Sequence, residues 1–171
     1  AADGAVTGNT RRFGASLDKI KQVVDVRYGE IMFGLNMVVH KGKTIFVGDT
    51  SVHEYPTSEQ LAEIAVSTAR VVRLFGFDPK VAFVSHSTFG QPLTSRTKHI
   101  RKAVDILKEK EVDFEFDGDM QPDVALNSEY EELYPFSKIV GKANILIMPG
   151  QHSAAISYKM MKTLGDAKVI G

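Results

Sequence analysis

Three times in this chain an apolar run stops in a small, polar, glycine-containing loop and a helical pattern follows. The runs are Lys80–Val84, residues 113–116 and residues 144–148. Their loops are Ser85-His86-Ser87-Thr88-Phe89-Gly90-Gln91, Asp117-Gly118-Asp119 and Pro149-Gly150-Gln151-His152-Ser153. Strand, loop and helix in repetition build α/β proteins with a mostly parallel sheet. In open α/β sheets, ligands bind beyond the carboxyl ends of the strands, so these loops are the first place to seek function.

The flanking pattern extends the reading. Ser16 is a candidate cap for a helix over residues 17–26, with Leu17, Ile20, Val23 and Val24 on one face. Residues 30–39 and 44–47 are rich in β-formers and enclose the turn His40-Lys41-Gly42-Lys43, a hairpin signal. Ile31, Phe33, Leu35 and Met37 are apolar and suit either a core or an interface. Thr57-Ser58-Glu59-Gln60 has capping-box form ahead of a long helix that Gly76 stops. Thr94 or Ser95 starts the next helix, which buries Ile100, Ala103, Val104 and Leu107. Residues 111–116 form a strand, and Pro122 suits the first turn of a short helix over 121–127. Residues 128–142 are mixed, broken by Tyr134-Pro135-Phe136. The run 144–148 reads as a strand buried on both faces, residues 153–164 as a helix ended by Gly165, and Lys168–Ile170 as a last strand. The expected fold is a three-layer αβα arrangement on a mixed, mostly parallel sheet, with an antiparallel hairpin beside parallel strands.

Composition narrows the classes. With 171 residues, 43% of them hydrophobic, the chain can bury one core. Twenty-one basic and 21 acidic residues give a net charge of +0 and no electrostatic reason to expect nucleic acid or an anionic membrane as partner. The absence of cysteine excludes disulfides, a thiol nucleophile and cysteine zinc sites. No apolar stretch approaches the roughly 20 residues of a membrane span, and residues 1–10 are small and polar rather than signal-like. The expectation is a soluble, cytoplasmic protein. A start without Met and an end just after an apolar run suggest a piece of a longer chain.

Candidate chemistry is distributed over the loops. Ser85, Ser87 and Thr88 precede a helix that opens with Arg96 and Lys98, where free N–H groups can hold an anion; a plain polar loop with a capping hydroxyl explains the same residues. Asp117, Asp119 and Asp123 suit a metal or a general base, but Asp and Gly are also ordinary turn residues, and that reading is preferred. His40, His53, His86, His99 and His152 show no metal-ligand spacing, although His86 and His152 lie on loops that can face each other. Arg11 and Arg12 suit bidentate binding of phosphate or carboxylate, and equally an exposed linker.

Four longer segments go further than any of these motifs: Asp49-Thr50 with Pro56-Thr57-Ser58-Glu59-Gln60-Leu61-Ala62-Glu63-Ile64-Ala65; Val81-Ala82-Phe83-Val84-Ser85-His86-Ser87-Thr88-Phe89-Gly90; Phe116-Asp117-Gly118-Asp119-Met120-Gln121-Pro122-Asp123-Val124-Ala125-Leu126; and Gly141-Lys142-Ala143-Asn144-Ile145-Leu146-Ile147-Met148-Pro149. In this order they resemble the phosphate acetyltransferase (phosphotransacetylase) family over nearly the whole chain. Val6-Thr7-Gly8-Asn9-Thr10-Arg11, Tyr134-Pro135-Phe136 and His152-Ser153-Ala154-Ala155-Ile156-Ser157 resemble one branch, the C-terminal phosphotransacetylase-like region of large bacterial NADP-dependent malic enzymes.

The resemblance implies two α/β subdomains of the phosphotransacetylase and isocitrate-dehydrogenase type, with an acyl-CoA site between them. Residues 1–28 would close the first subdomain and residues 29–171 form most of the second. It implies a regulatory and oligomerising region that binds acetyl-CoA as an effector, joined to an N-terminal malic enzyme region that uses NADP and a divalent metal. The ligand-binding residues it implies are Arg11, Arg12, Ser85, Ser87, Thr88, Asp117, Gln121, His152 and Ser153. No cofactor and no metal site are expected in this segment, and the assembly expected is a homo-oligomer. Departures from the family bear on catalysis. Its Ser-Thr-Lys-Gly stretch is here Ser87-Thr88-Phe89-Gly90, its early helical Arg aligns with Asp18, and its late Asp-Leu-x-x-Gly-Asn is here Gly150-Gln151-His152-Ser153-Ala154-Ala155. Its Ser-Arg-Gly and following Asp fall beyond Gly171. Acetyl transfer needs cations for the phosphate and the developing carbonyl charge. The expectation is therefore binding without catalysis, the alternative being an active phosphate acetyltransferase.

Overall fold

The computed structural model describes residues 4–7 and 10–171. Part of the Val6–Arg11 motif, Gly8 and Asn9, lies outside the described residues. The chain divides into two compact units, residues 1–30 and 31–171.

The first unit holds helix α1 (Phe13–Lys21). It starts earlier than its sequence suggests, because Arg12 and not Ser16 occupies the capping position, so Ser16 falls inside the helix. It also ends earlier, at a Gln22 cap. The β-branched Val23, Val24 and Val26 that follow lose side-chain freedom in a helix and do not prolong it.

The second unit is a sandwich of helices about one sheet. Its elements are β1 (Leu35–His40), β2 (Lys43–Gly48), α2 (Ser58–Leu74), β3 (Lys80–Val84), α3 (Ser95–Glu109), β4 (Glu115–Met120), α4 (Pro122–Leu126), a 3₁₀ turn at Ser128–Tyr130, β5 (Ile145–Ile147), α5 (Gln151–Leu164) and β6 (Lys168–Ile170). The six strands lie in the order β4-β3-β5-β2-β1-β6. The pairs β4/β3, β3/β5 and β5/β2 are parallel, and β1 is antiparallel to β2 and β6. The sheet is thus mixed and mostly parallel, with the expected hairpin at β1 and β2.

Alternation along the central strands separates two cores. Val81, Phe83, Ile145, Ile147 and Phe46 face α2 and α3, where Leu61, Ile64, Ala65, Val72, Ile100, Ala103 and Leu107 are buried. Ala82, Val84, Leu146, Met148 and Val47 face the other way, against Val124 and Ala125 of α4 and Ala154 of α5. Ile31, Phe33, Leu35 and Met37 are partly buried on the α2 and α3 side, so the apolar run before the hairpin belongs to the core. Both long helices open with capping boxes, Thr57 with Gln60 as the sequence suggests and Thr94, the first of the two expected starts, with Thr97.

One boundary differs in a way that matters for function. The second of the expected loops, Asp117-Gly118-Asp119, is not a loop: β4 runs through it to Met120. Asp and Gly are poor strand formers, yet parallel pairing with β3 and the needs of the interior decide the outcome. Gly118 has φ +150°, and a Cβ there would stand 2.6 Å from the Phe83 carbonyl oxygen. The close approach of the two strands requires glycine at this point.

Candidate functional site at the carboxyl edge of the sheet

The parallel strands β2, β3, β4 and β5 all end on one edge, and the buried polar residues Asp49, Thr50, Ser87, Thr88 and Asp119 lie at or just beyond those ends. Asp119, at the end of β4, is fully buried. Its Oδ2 accepts a hydrogen bond from the Ser87 hydroxyl, and its Oδ1 accepts from the Gly90 N–H at 3.0 Å. Arg101 of α3 reaches within 3.8 Å of Oδ1. The Asp119 carbonyl accepts from the Phe89 N–H at 2.6 Å, and the Met120 carbonyl from the Ser85 N–H at 2.9 Å. Ser85 Oγ lies 3.3 Å from Ser87 Oγ. The Gln121 N–H donates to Thr88 Oγ1 at 3.2 Å. A charged acceptor in a low-dielectric setting makes strong hydrogen bonds, so Asp119 clamps the middle of the 85–91 loop, at Ser87, Phe89 and Gly90, to β4.

The clamp dictates where Phe89 goes. This residue has φ +48°, a conformation unusual outside glycine and asparagine. Its ring turns into a cluster with Tyr134 at 5.4 Å and Phe136 at 4.8 Å between centroids. The segment that interrupts the 128–142 region thus supplies the rings that receive Phe89.

Two clefts open from this edge. One, of about 340 Å³, lies on the α3 side and is lined by Ser95, Arg96, His99, Ile100 and Pro149. His99 is fixed at both ring nitrogens. Its Nε2 donates to the Pro56 carbonyl at 2.8 Å, and its Nδ1 lies 3.0 Å from Ser58 Oγ. The other cleft, of about 450 Å³, lies on the α4 side; Thr88, Phe89, Gln121, Asp123, Tyr130 and Phe136 are among its walls. Tyr130 donates to Asp123 Oδ2 at 3.3 Å, and the Asp123 carboxylate, helped by desolvation and by Glu129, pushes the phenol's pKa above its ordinary value of 10.0.

At the end of β2 a second buried carboxylate organises the neighbouring loop. Asp49 Oδ1 accepts from the N–H groups of Gly34, Ser51 and Val52, and Oδ2 from the N–H and Nδ1 of His53. The loop so fixed holds the start of α5. The His53 carbonyl accepts from the Gln151 N–H at 3.0 Å, and Glu54 pairs with His152 at 3.0 Å. Gly150 packs so closely on the Glu54 carbonyl oxygen that a Cβ would collide with it.

The residues singled out in the sequence therefore fall into separate places. Ser85, Ser87 and Thr88 come together, but with hydroxyls turned inward to the clamp; Thr88 and Gln121 also border the α4-side cleft. His152 and Ser153 stand at the start of α5, the first paired with Glu54 and the second donating to the Gly150 carbonyl at 2.8 Å. His86 is exposed. Asp117 lies inside β4, accepts from its neighbour Gly118 N–H, and borders a groove with Phe114, Phe116 and Lys138. Arg11 and Arg12 are exposed at the start of α1, in the other unit. Asp117, Asp119 and Asp123 do not converge, and no group of three or more His, Cys, Asp or Glu able to hold a metal occurs among the described residues. No helix there is long and apolar enough to cross a membrane. Sequence reasoning passed over Asp49 and treated Asp119 as a turn residue. What would have marked both is position, since each ends a β-rich run directly before a polar loop.

Known proteins resemble this arrangement over its full length. The model of the phosphate acetyl/butaryl transferase family matches residues 1–171. The NADP-dependent malic enzyme of Rhizobium meliloti (strain 1021) is 45% identical over 170 residues, which are 99% of this chain and 22% of that protein. The phosphate acetyltransferase of Clostridium acetobutylicum is 34% identical over 179 residues, covering 99% of this chain and 54% of that one. A phosphotransacetylase structure from Streptococcus pyogenes superposes with a TM-score of 0.89 at 28% identity, covering 96% of this chain and 51% of the other. The chain thus spans about a fifth of that malic enzyme's length and about half of that transferase's. It belongs to the phosphate acetyl/butaryl transferase family, and within it resembles the stretch carried by NADP-dependent malic enzymes.

Proposed function

We propose that this chain is the phosphotransacetylase-like regulatory and oligomerising part of a cytoplasmic NADP-dependent malic enzyme, and that it binds acetyl-CoA without transferring its acetyl group. The parent enzyme would oxidise and decarboxylate malate to pyruvate, with NADP and a divalent metal held by its malic enzyme region. The observation that carries the reading is Phe89. Where the transferases place a lysine, this chain packs a half-buried ring against Tyr134 and Phe136, in a loop that Asp119 clamps. A cation at that point would stabilise transferring phosphate and carbonyl charge; a phenyl ring does not.

Binding capacity rests on different groups. Thr88 and Gln121 border one cleft, and Arg96, beside the start of α3, borders the other. His152 and Ser153 stand at the start of α5. Ser85, Ser87 and Asp117 act in this reading as supports of the wall. Acetyl-CoA would favour one packing of the homo-oligomer over another, and a difference in affinity between the two states sets how far malate turnover changes. Calorimetry of acetyl-CoA on the full-length protein, with malate-dependent NADP reduction followed in parallel, tests this. Saturable binding with a changed rate supports it. No binding, or acetyl phosphate formed from acetyl-CoA and phosphate, overturns it.

A further inference from the structure

The α4-side cleft has a chemistry of its own. Its volume of about 450 Å³ lies in the range of roughly 300–1,000 Å³ typical of small-molecule sites. One wall is aromatic: Phe89, Tyr134 and Phe136 pack on one another at 4.8–6.1 Å. That wall is built, not incidental. Phe89 is held at φ +48° by the Asp119 clamp, and such a conformation persists only where its surroundings impose it. Yet Phe136 remains 69% exposed and Leu133 beside it 67% exposed.

The polar wall is acidic. Asp123 and Tyr130 face the same space, and no lysine or arginine among the described residues lines it. Tyr130 occupies only one of the acceptor positions of the Asp123 carboxylate. A phosphate or carboxylate would meet like charge here. A flat ring carrying N–H donors would find both a stacking surface and an acceptor, which is how bases are held by proteins that stack them on aromatic side chains. An aliphatic chain would use the rings but leave the carboxylate unanswered.

We propose that this cleft binds an adenine ring, stacked on Phe136 and Tyr134 with its exocyclic amine donating to Asp123. For the identity of the natural ligand this rests on the acyl-CoA reading above: the ring is the adenine end of the coenzyme, and the phosphates lie outside the acidic cleft.

The test uses the full-length protein and adenosine, which carries the ring without phosphate. Calorimetry measures adenosine and acetyl-CoA on the wild type, Phe136→Ala and Asp123→Asn. Both positions border the cleft at the surface, and circular dichroism checks that each variant folds. Adenosine is expected to bind saturably and to compete with acetyl-CoA, whereas inorganic phosphate does not compete with adenosine. Phe136→Ala is expected to weaken adenosine about tenfold or more, the effect of losing one stacking ring. Asp123→Asn is expected to weaken it about threefold or more, the effect of losing a charged acceptor. Absence of adenosine binding overturns the proposal, as do unchanged affinities in both variants. If acetyl-CoA binds, adenosine does not compete and neither variant alters acetyl-CoA affinity, this assignment falls and the acyl-CoA reading survives. If adenosine binds as described and acetyl-CoA does not bind, the assignment survives and the acyl-CoA reading falls.

Discussion

Replacing Asp119 by alanine removes the clamp on the 85–91 loop, and the structure allows its cost to be worked out. The carboxylate is fully buried and serves Ser87 Oγ and the Gly90 N–H. A buried donor left without an acceptor costs about 1–3 kcal/mol. Two are orphaned, but Ser87 can turn to Ser85 Oγ, 3.3 Å away, and recover part of its share. Arg101, 44% exposed and 3.8 Å from the carboxylate, contributes at most about 1 kcal/mol. The sum is about 3 kcal/mol. At roughly 2–4 °C per kcal/mol for a domain of this size, the melting temperature should fall by about 6–12 °C. Asp119→Asn should cost only about 1 kcal/mol. Its amide oxygen can still accept from Gly90 and its amide nitrogen can donate to Ser87, while the penalty for burying a charge disappears. Differential scanning calorimetry gives the ordering, and amide hydrogen exchange at Phe89 and Gly90 reports the loop itself. If Asp119→Ala melts within about 2 °C of the wild type, or Asp119→Asn is as damaging as Asp119→Ala, the clamp argument is wrong.

Three further outcomes are expected. Asp49→Ala strips the acceptor from four backbone N–H groups and His53, and should cost about 3 kcal/mol or more with loss of exchange protection at Ser51–His53; protection equal to wild type would show the loop is held otherwise. Leu61→Ala, in the core between α2 and the sheet, should cost about 2–5 kcal/mol in denaturant unfolding, and less than about 1 kcal/mol would contradict the packing described. Glu59 has its pKa lowered from 4.5 to about 2, chiefly by the hydrogen bond from Lys102. A folded pKa below the unfolded one means that its contribution to stability is present above about 4.5 and is lost as pH falls through about 2. A carbon-detected NMR titration should find it there, moving toward 4.5 in Lys102→Ala; a wild-type value near 4.5 would refute the pairing.

The fold was legible because local signals agree with one another. The Thr57–Gln60 box and a Thr94 or Ser95 start open helices whose apolar positions then fall on one face, and the β1 and β2 hairpin carries its own turn. Where local preference and the interior conflict, the reading failed. Asp117-Gly118-Asp119 has turn composition, and only the packing of Gly118 against Phe83 explains why the strand continues through it. The site was half legible for the same reason. Its loops could be located from strand ends, but the direction of a hydroxyl cannot be read from spacing. Ser85, Ser87 and Thr88 look like ligand groups in a sequence, yet Ser87 donates to the buried Asp119 carboxylate of another strand, Ser85 Oγ pairs with Ser87 Oγ, and Thr88 Oγ1 accepts from the Gln121 N–H. The aromatic wall joins Phe89 to Tyr134 and Phe136, residues separated by more than forty positions, and no periodicity links them.

The proposed function joins coenzyme binding by this chain to the absence of acetyl transfer, and both can be read at once. The most direct measurement is a single incubation of the full-length protein with acetyl-CoA, phosphate, malate and NADP, in which acetyl phosphate and NADPH are both quantified across acetyl-CoA concentrations. The account predicts a saturable change in the rate of NADPH formation with no acetyl phosphate above the uncatalysed background. Acetyl phosphate produced in proportion to enzyme, or an NADPH rate indifferent to acetyl-CoA, would contradict it.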